Sequence, residues 1–217
     1  MIKVTINGAS GKMGKKVSNL VKNDSFLVEC SDDISCSDIV IDFSQPSSTK
    51  KILKKCVEAK KPIIIGTTGF NNDDLKDIRD AANSIPIVLA SNMSRGIIYL
   101  KKSLASFIHN NQDKLKCFIE ETHHLEKVDK PSGTAIELKK FITEHDDNNF
   151  IRAIKIKSNR VANIFGIHKI MFFSENGTVY FSHEALSRKI FAEGAITCAK
   201  SIDLSKPNLY SFEDIID

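Results

Sequence analysis

Five short apolar runs interleaved with helical patterns fill the first ninety residues, and this alternation restricts the fold more than any other feature of the chain. Ile2 to Asn7 reads as a strand, and Gly11 to Lys22 as a helix with Met13, Val17, Leu20 and Val21 inward. Phe26 to Cys30 and Ile39 to Phe43 read as the second and third strands. Pro46 stands where a first helical position should be, ahead of a helix carrying Ile52, Leu53, Cys56 and Val57; its missing N–H costs nothing there. Pro62 to Ile65 is a fourth strand, Asp73 to Asn83 a helix and Ile85 to Ala90 a fifth strand. Strands alternating with helices at this spacing predict a doubly wound parallel sheet with helices on both faces.

The pattern then changes. A longer helix, Ile97 to His109, leads to a strand, Leu115 to Glu121, and a polar loop. A helix near Ala135 to Glu144 precedes three strand-like runs, Phe150–Lys157, His168–Phe173 and Thr178–Ala185. Glu175-Asn176-Gly177 between the last two is an antiparallel hairpin signal. A final helix, Lys189 to Ile202, is followed by a polar tail. We expect an N-terminal Rossmann-like domain over 1–94 and an α+β domain on a mixed or antiparallel sheet over 95–191, with no long linker.

Composition excludes several functions. Of 217 residues, 41% are hydrophobic and 27% charged, ordinary for a globular chain with a proper core. The net charge is +4, and the lysines (Lys15-Lys16, Lys50-Lys51, Lys54-Lys55, Lys101-Lys102) are scattered over helix faces without interleaved aromatics. That reads as solvated surface, not a nucleic-acid footprint. Five dispersed cysteines without zinc spacing predict reduced, mostly buried thiols. No apolar run approaches the ~20 residues of a membrane span, and the first residues enter a strand directly. A soluble, cytoplasmic protein without membrane partners is expected.

Gly8-Ala9-Ser10-Gly11-Lys12-Met13-Gly14 lies between the first strand and the first helix. Glycines there permit a tight turn and close approach of a pyrophosphate to the helix N-terminus. The spacing is G-x-x-G-x-x-G, weak alone and compatible with a plain turn. Asp32, just after the second strand, stands where an acid hydrogen-bonds a ribose 2′-hydroxyl. Gly66-Thr67-Thr68-Gly69 and Ser91-Asn92-Met93-Ser94 follow the fourth and fifth strands, on the same carboxyl edge. Each alone reads equally as a loop; three on one edge predict a dinucleotide crevice.

Chemistry is densest from Glu120 to Thr134 (EETHHLEKVDKPSGT). Histidine exchanges protons near neutral pH, and a nearby lysine is a cationic proton donor. Adjacent His123 and His124 cannot point the same way on a strand, which disfavours a metal site. Thr134-Ala135-Ile136-Glu137 has capping-box spacing, making Ser132-Gly133-Thr134 a donor-rich turn at a helix start, suited to carboxylate. A proton-transfer cluster beside an anion cradle points to a small acidic substrate; a solvated polar loop with an ordinary cap is the plainer alternative.

These segments, GASGKMG, VIDFSQP, GTTGF, ETHHLEKVDKPSGTA, SHEALSRKIFAEGA and LYSFEDII, span nearly the whole chain. Together they resemble the dihydrodipicolinate reductase family, and E-x-H-H-x-x-K-x-D-x-P-S-G-T is its specific part. The resemblance implies NADH- or NADPH-dependent reduction of 4-hydroxy-tetrahydrodipicolinate to tetrahydrodipicolinate, on the route to diaminopimelate and lysine. It makes His123 the proton donor or acceptor and Lys127 the proton donor, with His124, Ser132, Gly133 and Thr134 holding the dicarboxylate substrate. Gly8 to Met13, Asp32, Gly66 to Thr68 and Ser91 to Ser94 would line the cofactor crevice. It also implies a homotetramer built through the second domain's sheet, with residues 192–217 packing back on the first domain.

Two departures from the family pattern stand out. Where R-x-G-x-x-x-G-x-H is common, with an acid before the histidine, the chain reads Arg160-Val-Ala-Asn-Ile-Phe-Gly166-Ile-His168, and Arg95 replaces a usual apolar residue. A dinucleotide-binding sensor without turnover is the competing function. An open-chain semialdehyde dehydrogenase would need a nucleophilic cysteine in a loop, whereas Cys117 falls within a strand pattern.

Overall fold

A computed structural model describes residues 1–30 and 33–216. The chain divides into two compact units, Met1–Met93 with Arg188–Asp217, and Ser94–Ser187. In the first unit β1 (Ile2–Asn7), α1 (Lys12–Lys22), β2 (Leu27–Glu29), β3 (Ile39–Asp42), α2 (Pro46–Glu58), β4 (Ile63–Ile65), α3 (Asn72–Ala81) and β5 (Pro86–Leu89) follow one another. The second unit contains α4 (Arg95–Asn110), β6 (Leu115–His123), α5 (Gly133–Glu144), β7 (Ile151–Arg160), β8 (Ile167–Ser174) and β9 (Gly177–Glu184). The chain then returns to the first unit with α6 (Lys189–Ser201), β10 (Asn208–Tyr210) and α7 (Glu213–Ile216).

The first unit is built on a six-stranded parallel sheet, β10-β5-β4-β3-β1-β2. Its central strands are buried on both faces, which is why they read as unbroken apolar runs. Val40, Ile63, Ile65 and Ile87 pack with Leu53, Cys56 and Ile78 of α2 and α3. Ile39, Ile41, Ile64 and Val88 alternate with them and are fully buried too, and α6 contacts β3 and β4. Pro46 occupies the start of α2 as expected. Asn71 and Asp74 close α3 with a reciprocal capping box, satisfying two otherwise unpaired N–H groups.

The tail is more than polar. Leu209 pairs with Ile87 and adds β10 to the sheet edge. Three residues are too few to show an alternation, so only the β5 edge reveals this strand.

The second unit carries a mixed sheet, β7-β6-β8-β9, with β6 and β7 parallel and the other pairs antiparallel. Ser174 pairs with Gly177 across the expected hairpin turn. One face packs on α4 and α5 through Leu104, Ile119, Leu138, Ile142, Ile170 and Phe172. A fully buried leucine contributes about 1.5–3 kcal/mol, and truncation also leaves a cavity. Leu138→Ala should therefore lower unfolding free energy by about 2–5 kcal/mol in urea titrations. No helix among the described residues is long and apolar enough to cross a membrane.

Two expectations need correction. The helix begins at Gly133, capped by Ser132, whose side chain accepts the Ala135 N–H at 3.2 Å; Thr134 is already helical and Glu137 pairs with Lys101 instead. β6 also runs two residues beyond Glu121. Pairing of His123 with Arg160 and of Thr122 with Ile167 draws this polar segment into the sheet from both sides.

Candidate active site

In the first unit the glycine loop and two neighbouring loops form a braced edge. Gly8 has a φ of 86°, and a Cβ there would stand 2.7 Å from the Phe43 carbonyl oxygen, so glycine is required for both conformation and space. The Gly11 N–H donates to the Gly8 carbonyl at 2.9 Å. At Gly14 a Cβ would lie 2.1 Å from that same carbonyl oxygen, so its absence lets α1 start hard against the turn. Gly11, the N-cap of α1, has no side chain to cap it, and the first turn of α1 holds no acid. An uncapped helix start behind a glycine turn suits a pyrophosphate, so these residues fit a dinucleotide.

Asp42, at the end of β3 and fully buried, ties this edge together. Its Oδ1 accepts from Asn7 Nδ2 at 2.7 Å and Ser44 Oγ at 2.6 Å. Its Oδ2 accepts from Thr49 Oγ1 at 2.5 Å and Thr67 Oγ1 at 2.9 Å. Gly66 lies against Phe43, where a Cβ would meet the ring at 2.1 Å. Gly66, Thr67 and Thr68 thus follow β4 beside the turn that follows β3, held by the Ser44 N–H donating to Thr67 Oγ1 at 2.9 Å. Ser91, Asn92 and Met93 follow β5 in this unit, whereas Ser94 begins the second, its Oγ 3.5 Å from His183 Nε2. Asp32 lies outside the described residues.

In the second unit the chemistry grows out of the core face of the sheet. Along β6, Leu115, Cys117, Ile119, Glu121 and His123 are the buried residues, in strict alternation. The inward row is apolar for three positions and then becomes carboxylate and imidazole. Register places His168 beside Glu121, His183 beside His168, and Arg160 beside His123, so one face carries them all.

Glu121 is fully buried and accepts from Arg160 Nη1 at 3.0 Å on each oxygen. Its Oε2 lies 2.5 Å from His123 Nδ1, and Oε1 accepts the Ser132 N–H at 3.3 Å. Burial pushes the Glu121 carboxyl up, but hydrogen bonds from His123, Ser158 and Arg160 outweigh it and hold the group at about 2. With Nδ1 engaged, Nε2 is the atom His123 can offer a ligand. Gly166 lies next to it: a Cβ there would be 3.1 Å from Nε2.

The loop after β6 joins the same network. Lys127 Nζ pairs with Asp129 Oδ1 at 2.8 Å, and Asp129 Oδ2 accepts the Gly133 N–H at 3.3 Å. His124 is half-buried just past the strand, its carbonyl accepting the Lys127 N–H at 3.1 Å. Thr134 is buried in the first turn of α5. Ser132 Oγ stands 3.3 Å from His168 Nε2. His123, Lys127, Ser132 and Gly133 are thus linked through Glu121, Asp129 and Arg160.

Residues 96–216 match the family described as Dihydrodipicolinate reductase, C-terminus, and residues 25–93 match Dihydrodipicolinate reductase, N-terminus. The chain belongs to the dihydrodipicolinate reductase family. The 4-hydroxy-tetrahydrodipicolinate reductase of Bdellovibrio bacteriovorus is 33% identical over 225 residues, covering 99% of this chain and 96% of that one. The enzyme of the same name from Alkaliphilus oremlandii is 35% identical, covering 98% and 97%. A solved structure, the dipicolinate-bound dihydrodipicolinate reductase from Paenisporosarcina sp. TG-14, shares the fold with a TM-score of 0.72 over the full length of both chains, at 20% identity.

Several site residues of this reductase-family chain are not among the candidates that the motif marks. Arg160 and His168 lie 26 and 34 residues beyond Thr134, the end of the motif, and strand register returns them to it. Glu121 lies inside the motif, and its spacing of two from His123 becomes informative only because β6 reaches His123. The altered stretch from Arg160 to His168 keeps the three residues that touch this row: Arg160, Gly166 and His168.

Two groups of the buried row should make this chain's stability fall in acid. Burial pushes His168 down to about 3, from an ordinary 6.5, so folding favours its neutral form. Stability from a depressed histidine is full above the unfolded value and is lost as pH falls from about 6.5 toward 3. Glu121, depressed from 4.5 to about 2, adds a second loss over that lower window. Urea unfolding should therefore show stability falling from pH 7 to 4, and His168→Asn should flatten the upper part of that slope.

Proposed function

We propose that the chain reduces 4-hydroxy-tetrahydrodipicolinate to tetrahydrodipicolinate with NADH or NADPH, on the route to diaminopimelate and lysine. The observation that carries the reading is the buried Glu121–His123 pair joined through Arg160 and Asp129 to Lys127 and to the Ser132–Gly133 start of α5. The names of the relatives agree with it.

When bound, the nicotinamide supplies a hydride. Gly8, Ala9, Ser10, Gly11, Lys12 and Met13, with Gly66 to Thr68 and Ser91 to Ser94, hold the dinucleotide in this reading, and Asp32 takes a ribose hydroxyl. His123 exchanges a proton at Nε2, while Glu121 holds Nδ1. Lys127 supplies the cationic proton donor as the hydroxyl leaves as water. His124, the Ser132 hydroxyl, the Gly133 N–H and Thr134 hold the two carboxylates, where a helix start favours negative charge.

A homotetramer assembled on the outer face of the second unit's sheet is part of the proposal. Phe173 and Tyr180 are 40% and 65% exposed there, on the face opposite the core. A cytoplasmic setting suits the five free thiols.

Reduced-nicotinamide consumption tests the function, with substrate made in place by a synthase from pyruvate and aspartate semialdehyde. We expect synthase-dependent oxidation, with the ratio of the NADH and NADPH rates giving the preference. A protein that binds a dinucleotide yet consumes none would instead be a sensor.

A further inference from the structure

We infer that Arg160 and Glu121 form a positioning pair that fixes the tautomer of His123 and the placement of the Lys127 loop with a single guanidinium. The inference rests on the proton-transfer reading above and adds two residues to it.

Arg160 is the last residue of β7 and lies beside His123 in register. Its Nη1 reaches both oxygens of Glu121 at 3.0 Å, its Nε donates to the Lys127 carbonyl at 3.2 Å and its Nη2 to the Asp129 carbonyl at 2.5 Å. The guanidinium therefore spans the carboxylate behind His123 and the backbone on either side of Val128. A planar fork of donors does this; an ammonium cannot reach all four acceptors at once. The side chain is 11% exposed, and Glu121 is wholly buried.

Glu121 supplies the other half of the device. An ionised carboxylate only accepts hydrogen bonds, so its contact with His123 Nδ1 keeps a proton on that nitrogen and leaves Nε2 to exchange one. The Ser132 N–H on Oε1 and the Arg160 fork stop the carboxylate from rotating away. Asp129, whose carbonyl Arg160 holds, in turn pairs with Lys127 Nζ and receives the Gly133 N–H. One charge pair thus indexes the imidazole, the ammonium and the anion cradle against each other.

Glu121→Gln and Arg160→Lys test the pair, with His123→Ala as reference, all in the full chain. Nitrogen-15 NMR of labelled histidines, with His123 assigned by its loss in His123→Ala, reads the tautomer directly. The wild type should show the neutral ring protonated at Nδ1 only. Glu121→Gln, whose amide can donate as well as accept, should show both tautomers. Both variants should lose turnover by roughly 10- to 100-fold, as small misplacements of reacting groups do, with dinucleotide Kd little changed. A general structural defect would instead lower folded fraction and leave the tautomer of the folded molecules alone. An unchanged tautomer in Glu121→Gln, or full turnover in both variants where His123→Ala is inactive, overturns the inference. Full turnover in His123→Ala would overturn the proton-transfer reading itself, while the tautomer still reports whether Glu121 pins the ring. If Glu121→Gln does not fold, Arg160→Lys decides: full turnover refutes the pair.

Discussion

His123→Ala is expected to lower turnover by roughly 10²–10⁴-fold, the range for a general acid–base group, with dinucleotide affinity unchanged. His123 is 7% exposed at the end of β6, with Nδ1 committed to Glu121, so its other nitrogen is what alanine removes. Glu121 keeps its Arg160 fork in the variant, and the buried carboxylate stays paired. The assay is steady-state consumption of reduced dinucleotide, alongside cofactor fluorescence titration and thermal unfolding to show that the variant is folded. Turnover within a few-fold of wild type would remove His123 from the reaction.

Gly14→Val should abolish dinucleotide binding while leaving the second unit's residues untouched. The first added carbon would stand 2.1 Å from the Gly8 carbonyl oxygen and 2.6 Å from the Ala9 Cα, both backbone atoms that cannot rotate aside. Either α1 withdraws from the turn or the turn opens, and each outcome destroys the uncapped helix start that faces the loop. Overpacking of this kind costs about 1–3 kcal/mol, so a drop of several degrees in the melting temperature should accompany at least a tenfold loss of affinity. Equal affinity in Gly14→Val and wild type would show that this loop does not carry the dinucleotide.

Periodicity made most of the fold legible. The runs IVID and III are buried on both faces of a parallel sheet, and such strands announce themselves without a partner. β10 did not, because Asn208, Leu209 and Tyr210 become a strand only by pairing with β5. The capping-box spacing of Thr134 and Glu137 points to a cap two residues too late for α5, since Ser132 is itself a good cap residue. Ser132 wins in the folded chain, where its N–H meets Glu121 and its hydroxyl lies beside His168.

The candidate site was legible in the same uneven way. His123, Lys127 and the Ser132–Thr134 turn are contiguous in sequence and chemically distinctive. Glu121 was hidden because a strand ending at Glu121 leaves His123 in the loop, where a spacing of two means nothing. Once β6 reaches His123, the two must share a face. Arg160, His168 and Asp42 act through partners that only register and sheet order supply. Asp42 in particular reads as an ordinary residue at the end of IVID, yet it accepts from four side chains on the carboxyl edge.

Isotope transfer follows the hydride itself. Reduced dinucleotide carrying deuterium at both hydrogen positions of the transferring carbon would be incubated with the chain and the synthase-made substrate, and the product weighed by mass spectrometry. The cyclic dicarboxylate product should gain one deuterium per dinucleotide oxidised. Bound dinucleotide with no deuterium in any product would contradict it.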